Sequence, residues 1–415
     1  MEFKLDNLYS KELDSQDPLK NFRDKFLFPS VQSIYLCGHS LGLQPKTAKK
    51  FVDTELDSWA TLAVEGHKKG KNPWFDYHSF LTDGMSAIVG SDNTETVVMN
   101  SLTTNLHMLM ISFFRPNSKK YKIMIDVPVF PSDKYAAQSQ LKLHGLDPKK
   151  DLVEINTYKN NSCISNDKMA DLVEANLENV ALILLSGVNY YTGQLYDIDS
   201  IAKLANKHNV IIGLDLAHAA GNVVLDLTKS NIDFASWCGY KYLNGGPGAP
   251  SGAFVHKKHH SKSDLIRLEG WWGHDKQTRF NPPLEFSPIK TVESWQLSNP
   301  PILSMAALRS SLQLFDEVGM EILREKSVKL TDYLEYLILS LENKNISIIT
   351  PSNSLSRGAQ LSLCIKTEKQ NLVDYFASNN IVCDFRKPDV VRVAPNAFYN
   401  SFSDIYNFVE VLKSL

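Results

Sequence analysis

VIIGLDLAHAAGN, Val210 to Asn222, and FASWCGYKYLNGG, Phe234 to Gly246, decide how this chain is built. Each opens on a short apolar run rich in branched or aromatic residues and then breaks into small and polar ones, as a buried strand does at its end. That places Asp215 and Lys241 each at the carboxyl end of an expected strand. In an open parallel sheet the ligand crevice lies just outside those ends.

Outward from this pair the pattern repeats. TVVM (96–99), YKIMIDV (121–127), VALILLS (180–186) and GAFVH (252–256) are further strand-like runs, separated by helical periodicities. Strands alternating with helices from about Thr96 to His256 predict an α/β fold with a largely parallel sheet. Between two of the runs, DIDSIAKLANKH spaces Ile198, Ile201 and Leu204 for one helix face behind a cap at Asp197, which makes a right-handed crossover. Beyond Pro300 come two long amphipathic segments, 301–318 and 322–343, then the strand-like LSLCI and VVRVA and a last helix in SDIYNFVEVLKSL. The expected division is a large domain over residues 76–300, with residues 1–75 and 301–415 making a smaller α+β domain together.

The 415 residues are 43% hydrophobic and 22% charged with a formal net charge of -2, and no apolar run is long enough to cross a bilayer. Neither nucleic acid nor a membrane surface is an expected partner, because no block of one charge sign exists. Cys37, Cys163, Cys238, Cys364 and Cys383 are scattered and odd in number, which fits a reducing cytoplasm and no zinc or redox motif. MEFKLDNLYSKELDSQD, at residues 1–17, carries too much charge for a signal-peptide core.

An acid and a lysine delivered to one crevice suit pyridoxal 5'-phosphate. The amine forms an imine with the aldehyde, and the acid pairs with the pyridinium nitrogen. Raising that nitrogen's proton affinity by roughly two to three units takes about 3 to 4 kcal/mol, which an ionised Asp supplies. Taken singly, Asp215 reads as a helix cap and Lys241 as a solvated side chain; their joint placement favours the cofactor. Upstream, NSLTTNLHMLMISFF (100–114) opens a helix near Leu102 with Leu106, Leu109, Met110 and Phe113 on its apolar face. Thr103 in that first turn fits a phosphate contact, with simple capping as the alternative. His218, three residues past Asp215, either faces the cofactor or is a buried structural histidine; no cluster of metal ligands accompanies it.

GHSLGLQPK, EGHKKGKNPW, VPVFPSDKYAAQSQ, LLSGVNYYTGQLYDI, DLAHAAGN, WCGYKYLNGGPG, GWWGH, SNPPIL and RVAPNAFYNSF, in this order from Gly38 to Phe402, resemble the kynureninase family over nearly the whole chain. The resemblance implies a homodimer of the aspartate-aminotransferase-like fold (fold type I) with its site near the subunit boundary. By matching segments, Leu102 and Thr103 meet the phosphate and Phe130 covers the pyridine ring. Asp133 and Ser186 complete the pocket, and His218 lies beside Asp215. Tyr240, Trp271 and Asn299 reach the phosphate side. Ser40 and Arg392 take the substrate, Arg392 by clamping its carboxylate with a planar charged fork; without the resemblance Arg392 reads as a surface ion pair. Two motifs depart from the family, which usually reads GNSLG and GWFGH where this chain has His39 and Trp272.

The implied reaction is hydrolysis of kynurenine or 3-hydroxykynurenine to anthranilate or 3-hydroxyanthranilate plus alanine, in tryptophan catabolism and the supply of nicotinamide cofactors. Lys241 would move the alpha proton, Asp215 sustain the cation, and Tyr240 donate or relay a proton. His67 and Asn299 are expected to hydrogen-bond the 3-hydroxyl and so set selectivity. The nearest alternative is a cysteine desulfurase of the same fold, which needs a reactive cysteine on a mobile loop; Cys364 in LSLCI is a poor candidate. A non-catalytic cofactor-binding regulator is the other, disfavoured because Lys241, Asp215, Tyr240 and Arg392 are all present and no nucleic-acid-binding appendage is visible.

Overall fold

In a computed structural model, which describes residues 3–159, 162–281, 285–367 and 371–415, the apolar runs join into one seven-stranded sheet. Its order is Thr96–Met99, Ser251–Val255, Phe234–Trp237, Ile211–Asp215, Val180–Ser186, Lys122–Val127, Leu152–Asn156. Ser251–Val255 runs antiparallel to both neighbours, and every other pairing in the sheet is parallel. The runs are apolar without alternation because both faces are covered. Leu182 and Leu184 pack beneath Leu106, Leu109 and Phe113, while Ile183 and Leu185 pack on the opposite side with Ile212, Leu214 and Trp237. Each such side chain contributes roughly 1.5–3 kcal/mol on burial.

Leu152–Asn156 was not foreseen. It is the sheet edge, where Ile155 alone is fully buried and Glu154 and Asn156 are exposed, so it lacks the apolar run that marks the inner strands. The crossover helix Ile198–Lys207 forms as expected, with the Asp197 carboxylate accepting from the Ser200 N–H at 3.1 Å. After Asp215 the chain makes a series of tight turns rather than a helical first turn, and Gly221 sits at φ +76°. A left-handed residue there breaks helical continuation.

A second core lies beyond the long helices. Ile346–Ile348, Leu361–Ile365, Val390–Val393 and Asp384–Arg386 form an antiparallel sheet in that order, and Ile34–Tyr35 pairs parallel with Ile381–Val382. Leu13, Ile34 and Leu36 from the beginning of the chain share this core with Leu334, Leu363, Val393 and Phe408. Not all of the terminal segments follow them. The helix Ala48–Leu62 lies along Ile302–Val318, and Phe51, Val52, Met305, Leu308 and Phe315 join the larger core because that is where their apolar faces find cover.

The segment that follows Leu36 is seated directly on the Lys241 loop. Gly42 N–H donates to Tyr240 O at 2.8 Å, and a Cβ at Gly42 would stand 2.5 Å from Lys241 O. Only glycine permits that approach.

Candidate active site

Five parallel strands end around one cavity of about 300 Å³. Ser186 closes Val180–Ser186, Asp215 closes Ile211–Asp215, and the two are register partners. Tyr240 and Lys241 arrive on the turn after Phe234–Trp237, Leu102 and Thr103 on the helix opened by Thr96–Met99, and Phe130 and Asp133 after Lys122–Val127. With Ser40, His218 and Arg392, eleven of the residues expected at the site line this single cavity.

Asp215 is buried and lines the cavity, and its Oδ1 accepts from Ala217 N–H at 2.6 Å as a strand-end cap does. Beside it Asp133 is held well above the usual carboxyl range, by burial first and by the neighbouring Asp215 next. Both effects disfavour ionisation of Asp133. Behind them Asp126, itself pushed up by burial, receives Ser186 N–H at 2.9 Å, Tyr196 O–H at 3.0 Å and Asn189 Nδ2 at 3.1 Å.

Lys241 Nζ lies 3.1 Å from His218 Nε2 and 5.8 Å from the centre of the Phe130 ring. Burial, reinforced by Lys241 and Arg392, drives His218 well below its ordinary value, so a neutral ring nitrogen accepts from the amine. Tyr240 is half-buried, and burial with the adjacent Cys238 pushes its hydroxyl upward, so it stays a proton donor.

These residues fit pyridoxal phosphate. The buried Asp133 Oδ1 has no partner within the chain. The helices Leu102–Phe113 and Pro131–Leu143 both begin at the cavity, where Thr103 Oγ1 and Ser132 Oγ stand 2.7 Å apart. Two converging helix starts with hydroxyls between them suit a phosphate. Ser132 was missed in the sequence; the proline opening FPSD was the available signal, since Pro at the first helical position marks where free N–H groups begin.

At the other end of the cavity Arg392 is almost fully buried. Its Nε and Nη2 donate to the two oxygens of Asp384 at 3.1 and 2.6 Å, its Nη1 to Tyr190 O at 2.7 Å, and Nη2 also to Ser40 Oγ at 3.3 Å. Arg386, another cavity residue the sequence did not single out, donates to Asp384 Oδ2 at 3.1 Å. Cys37, His39 and Asp384 bring possible ligand atoms within 4.8 Å of one another. The Cys37 thiol, however, is pushed up to about 11 by burial and by Asp384, and two guanidiniums already engage that carboxylate. A cation finds no favourable field there.

Three expected site residues do not reach this cavity within the chain. His67 stacks on Phe75 at 5.0 Å, Phe75 meets Phe280 at 5.6 Å, and Phe280 meets Trp271 at 5.7 Å. Trp271 is 40% exposed and Asn299 is also exposed. His67 and Trp271 belong to a separate aromatic cluster because the segments 63–75 and 270–281 pack on each other, not on the strand ends. Trp272 is buried under the Arg279 guanidinium in the same cluster. Cys364 lies in the strand Leu361–Ile365 with its sulfur 3.0 Å from Asp389 Oδ2, and burial with that carboxylate raises its thiol, the reverse of a reactive cysteine.

The kynureninase C-terminal domain family matches residues 323–412. The chain is 46% identical to a kynureninase of Myxococcus xanthus over 98% of its own length and 96% of that protein, and 44% identical to one of Christiangramia forsetii over 100% and 99%. Among solved structures it is similar to the cystine C–S lyase C-DES, in a mutant with glycine linked to its pyridoxal-phosphate cofactor, at a TM-score of 0.76 and 15% identity over 93% of this chain and 97% of that one. A cysteine desulfurase from Thermococcus onnurineus gives 0.74 and 14% over 100% and 98%. At such identities these two speak for the fold, which is that of pyridoxal-phosphate enzymes of fold type I.

Proposed function

The chain belongs to the kynureninase family, pyridoxal-phosphate-dependent hydrolases of a carbon–carbon bond in a ketonic amino acid, and we propose how its own residues carry that reaction. Water is added across the Cβ–Cγ bond of kynurenine or its 3-hydroxy form; the hydroxyl joins the aroyl carbon and a proton ends on the methyl of alanine. The observation that carries the reading is Lys241 Nζ, with neutral His218 Nε2 at 3.1 Å, on the same cavity as Asp215. Bound on Lys241, pyridoxal phosphate supplies an electron sink for the pairs released at Cα and Cβ.

Asp215 sustains the proton on the ring nitrogen, and protonated Asp133 hydrogen-bonds to that carboxylate and fixes it. Leu102, Thr103 and Ser132 hold the phosphate side, with Phe130 over the ring and Ser186 at the strand end. Lys241 takes and returns the Cα proton, and His218 orients its amine. Tyr240, which keeps its hydroxyl proton, gives that proton where the bond breaks. Arg392 receives the substrate carboxylate beside Ser40, in competition with Asp384 for its Nη2 edge.

We also propose a homodimer in which His67, Trp271 and Asn299 of one subunit complete the site of the other. Exposed Trp271 and Phe280 support this, since a contiguous exposed aromatic surface marks an interface. His67 and Asn299 then read the 3-hydroxyl. Two lobes, residues 76–300 forming most of the larger, fit the two cores; five unpaired cysteines fit a cytoplasmic setting.

The test is a purified-protein assay with both kynurenines, followed by product fluorescence, with borohydride reduction to mark the cofactor-bearing residue. Aromatic product from either substrate, and reduced cofactor on the Lys241 peptide, are expected. Label on another lysine would overturn the site.

A further inference from the structure

We infer that His39 is a substrate-binding residue, whose ring N–H completes a carboxylate corner made by Arg392, Arg386 and Ser40. His39 is fully buried, lines the cavity, and has no hydrogen-bond partner at either ring nitrogen among the described residues. Buried imidazoles are rarely left so, because each unsatisfied nitrogen gives up its hydration without return. The nearest carboxylate is out of hydrogen-bond reach, with Nε2 3.9 Å from Asp384 Oδ2. That oxygen already accepts from Ser40 at 2.8 Å, Arg386 at 3.1 Å and Arg392 at 2.6 Å. The cavity remains as the source of a partner.

Charge identifies that partner. Two guanidiniums face one carboxylate in this corner, so a single further anion balances it. Burial first, then Arg392, Lys241 and Arg386, keep the His39 ring neutral, which leaves it one N–H to give and excludes it as a further cation. A neutral donor beside two cations adds direction to a bound carboxylate without adding charge. The backbone that carries it is closely packed, since a Cβ at Gly38 would stand 2.5 Å from Tyr399 Oη and one at Gly42 2.2 Å from Asn244 Oδ1. The inference rests on Arg392 being the carboxylate receptor.

Homophenylalanine, which keeps the amino acid but lacks the ketone, and 3-phenylpropylamine, which also lacks the carboxyl group, separate the two claims as competitive inhibitors of the holoenzyme. The ratio of their inhibition constants measures recognition of the carboxylate. His39→Leu is expected to lower the preference for the acid about 10- to 100-fold, with cofactor content and inhibition by the amine unchanged. His39→Asn and His39→Gln, which keep an N–H, restore most of it. Arg392→Gln lowers the same ratio if the receptor reading stands. An unchanged ratio in Arg392→Gln sinks that reading, whereas loss in Arg392→Gln with no loss in His39→Leu sinks the role of His39 alone. Should His39→Leu fail to fold, ¹⁵N-histidine spectra of the unaltered holoenzyme decide. Homophenylalanine must shift the His39 ring nitrogens and 3-phenylpropylamine must not; no shift with the acid overturns the inference.

Discussion

Asp133 and Asp215 are chemically identical side chains that the cavity makes unequal. Burial and the adjacent carboxylate hold the Asp133 carboxyl well above the usual range, and Asp215 Oδ1 accepts from Ala217 N–H at 2.6 Å. Replacing Asp215 with Asn removes the ionic partner of the ring nitrogen and keeps the shape. Its kcat is expected to fall about 10²- to 10³-fold, the equivalent of the 3 to 4 kcal/mol that partner supplies, with the cofactor still retained. Steady-state kinetics with absorbance of bound cofactor checks both halves. Tyr240→Phe removes a held proton but little volume, so kcat should drop about 10²- to 10⁴-fold with a smaller change in KM. Full activity in that variant would take the proton role from Tyr240.

Among the elements, the short turn Val292–Trp295 ties the aromatic surface to the sheet. Glu293 accepts from His78 Nε2 at 2.9 Å and pairs with Lys276 Nζ at 3.1 Å, and Lys276 also reaches Asp76 at 3.2 Å. Burial pulls the Glu293 carboxyl upward, but the bond from His78 and the charges of His78 and Lys276 outweigh it and hold it at about 2 against an ordinary 4.5. A depressed carboxyl stabilises the fold fully above its unfolded value and loses that stabilisation as pH falls through the folded one. The contribution, about 3 kcal/mol, should therefore be complete above pH ~4.5 and disappear toward pH ~2. Denaturant midpoints measured from pH 6 to 3 should fall more steeply in the unaltered protein than in Glu293→Gln, which begins less stable. Parallel curves would remove Glu293 from this role.

On the scale of the whole molecule, the sites are expected to be shared between subunits. If His67, Trp271 and Asn299 serve the partner's cavity, a Lys241→Ala chain and an Asn299→Ala chain are each poorly active alone. A mixed dimer holds one cavity with both residues intact. Co-refolding equal amounts should restore up to about a quarter of the unaltered activity, because half the dimers are mixed and each has one good site. No recovery, in a preparation shown to contain mixed dimers, would mean that Asn299 does not serve the partner's cavity. A second copy seated there would cover Trp271 and Phe280, which are exposed in the single chain.

Local pattern determined much of this protein. Strands buried on both faces announce themselves as continuous apolar runs, so the inner sheet, the crossover helix capped by Asp197, and the arrival of Asp215 and Lys241 at strand ends were all legible, and an ordered series of motifs carried the family. Periodicity is blind to contacts between distant segments. Asp384 stands opposite Arg392 in an antiparallel register, and Ser40 bonds to both from more than three hundred positions away, with His39 beside it. Nothing in the spacing of those residues encodes their meeting, and the half-exposed edge strand Leu152–Asn156 gave too weak an alternation to be read. Only the packing of two cores decided that a family-matched arginine is held by an internal carboxylate, that His39 has no partner among the described residues, that His67 packs on Phe75, and that Trp271 and Asn299 are exposed. Those facts depend on which surfaces cover each other once the chain is compact, and burial of that kind is a property of the whole fold.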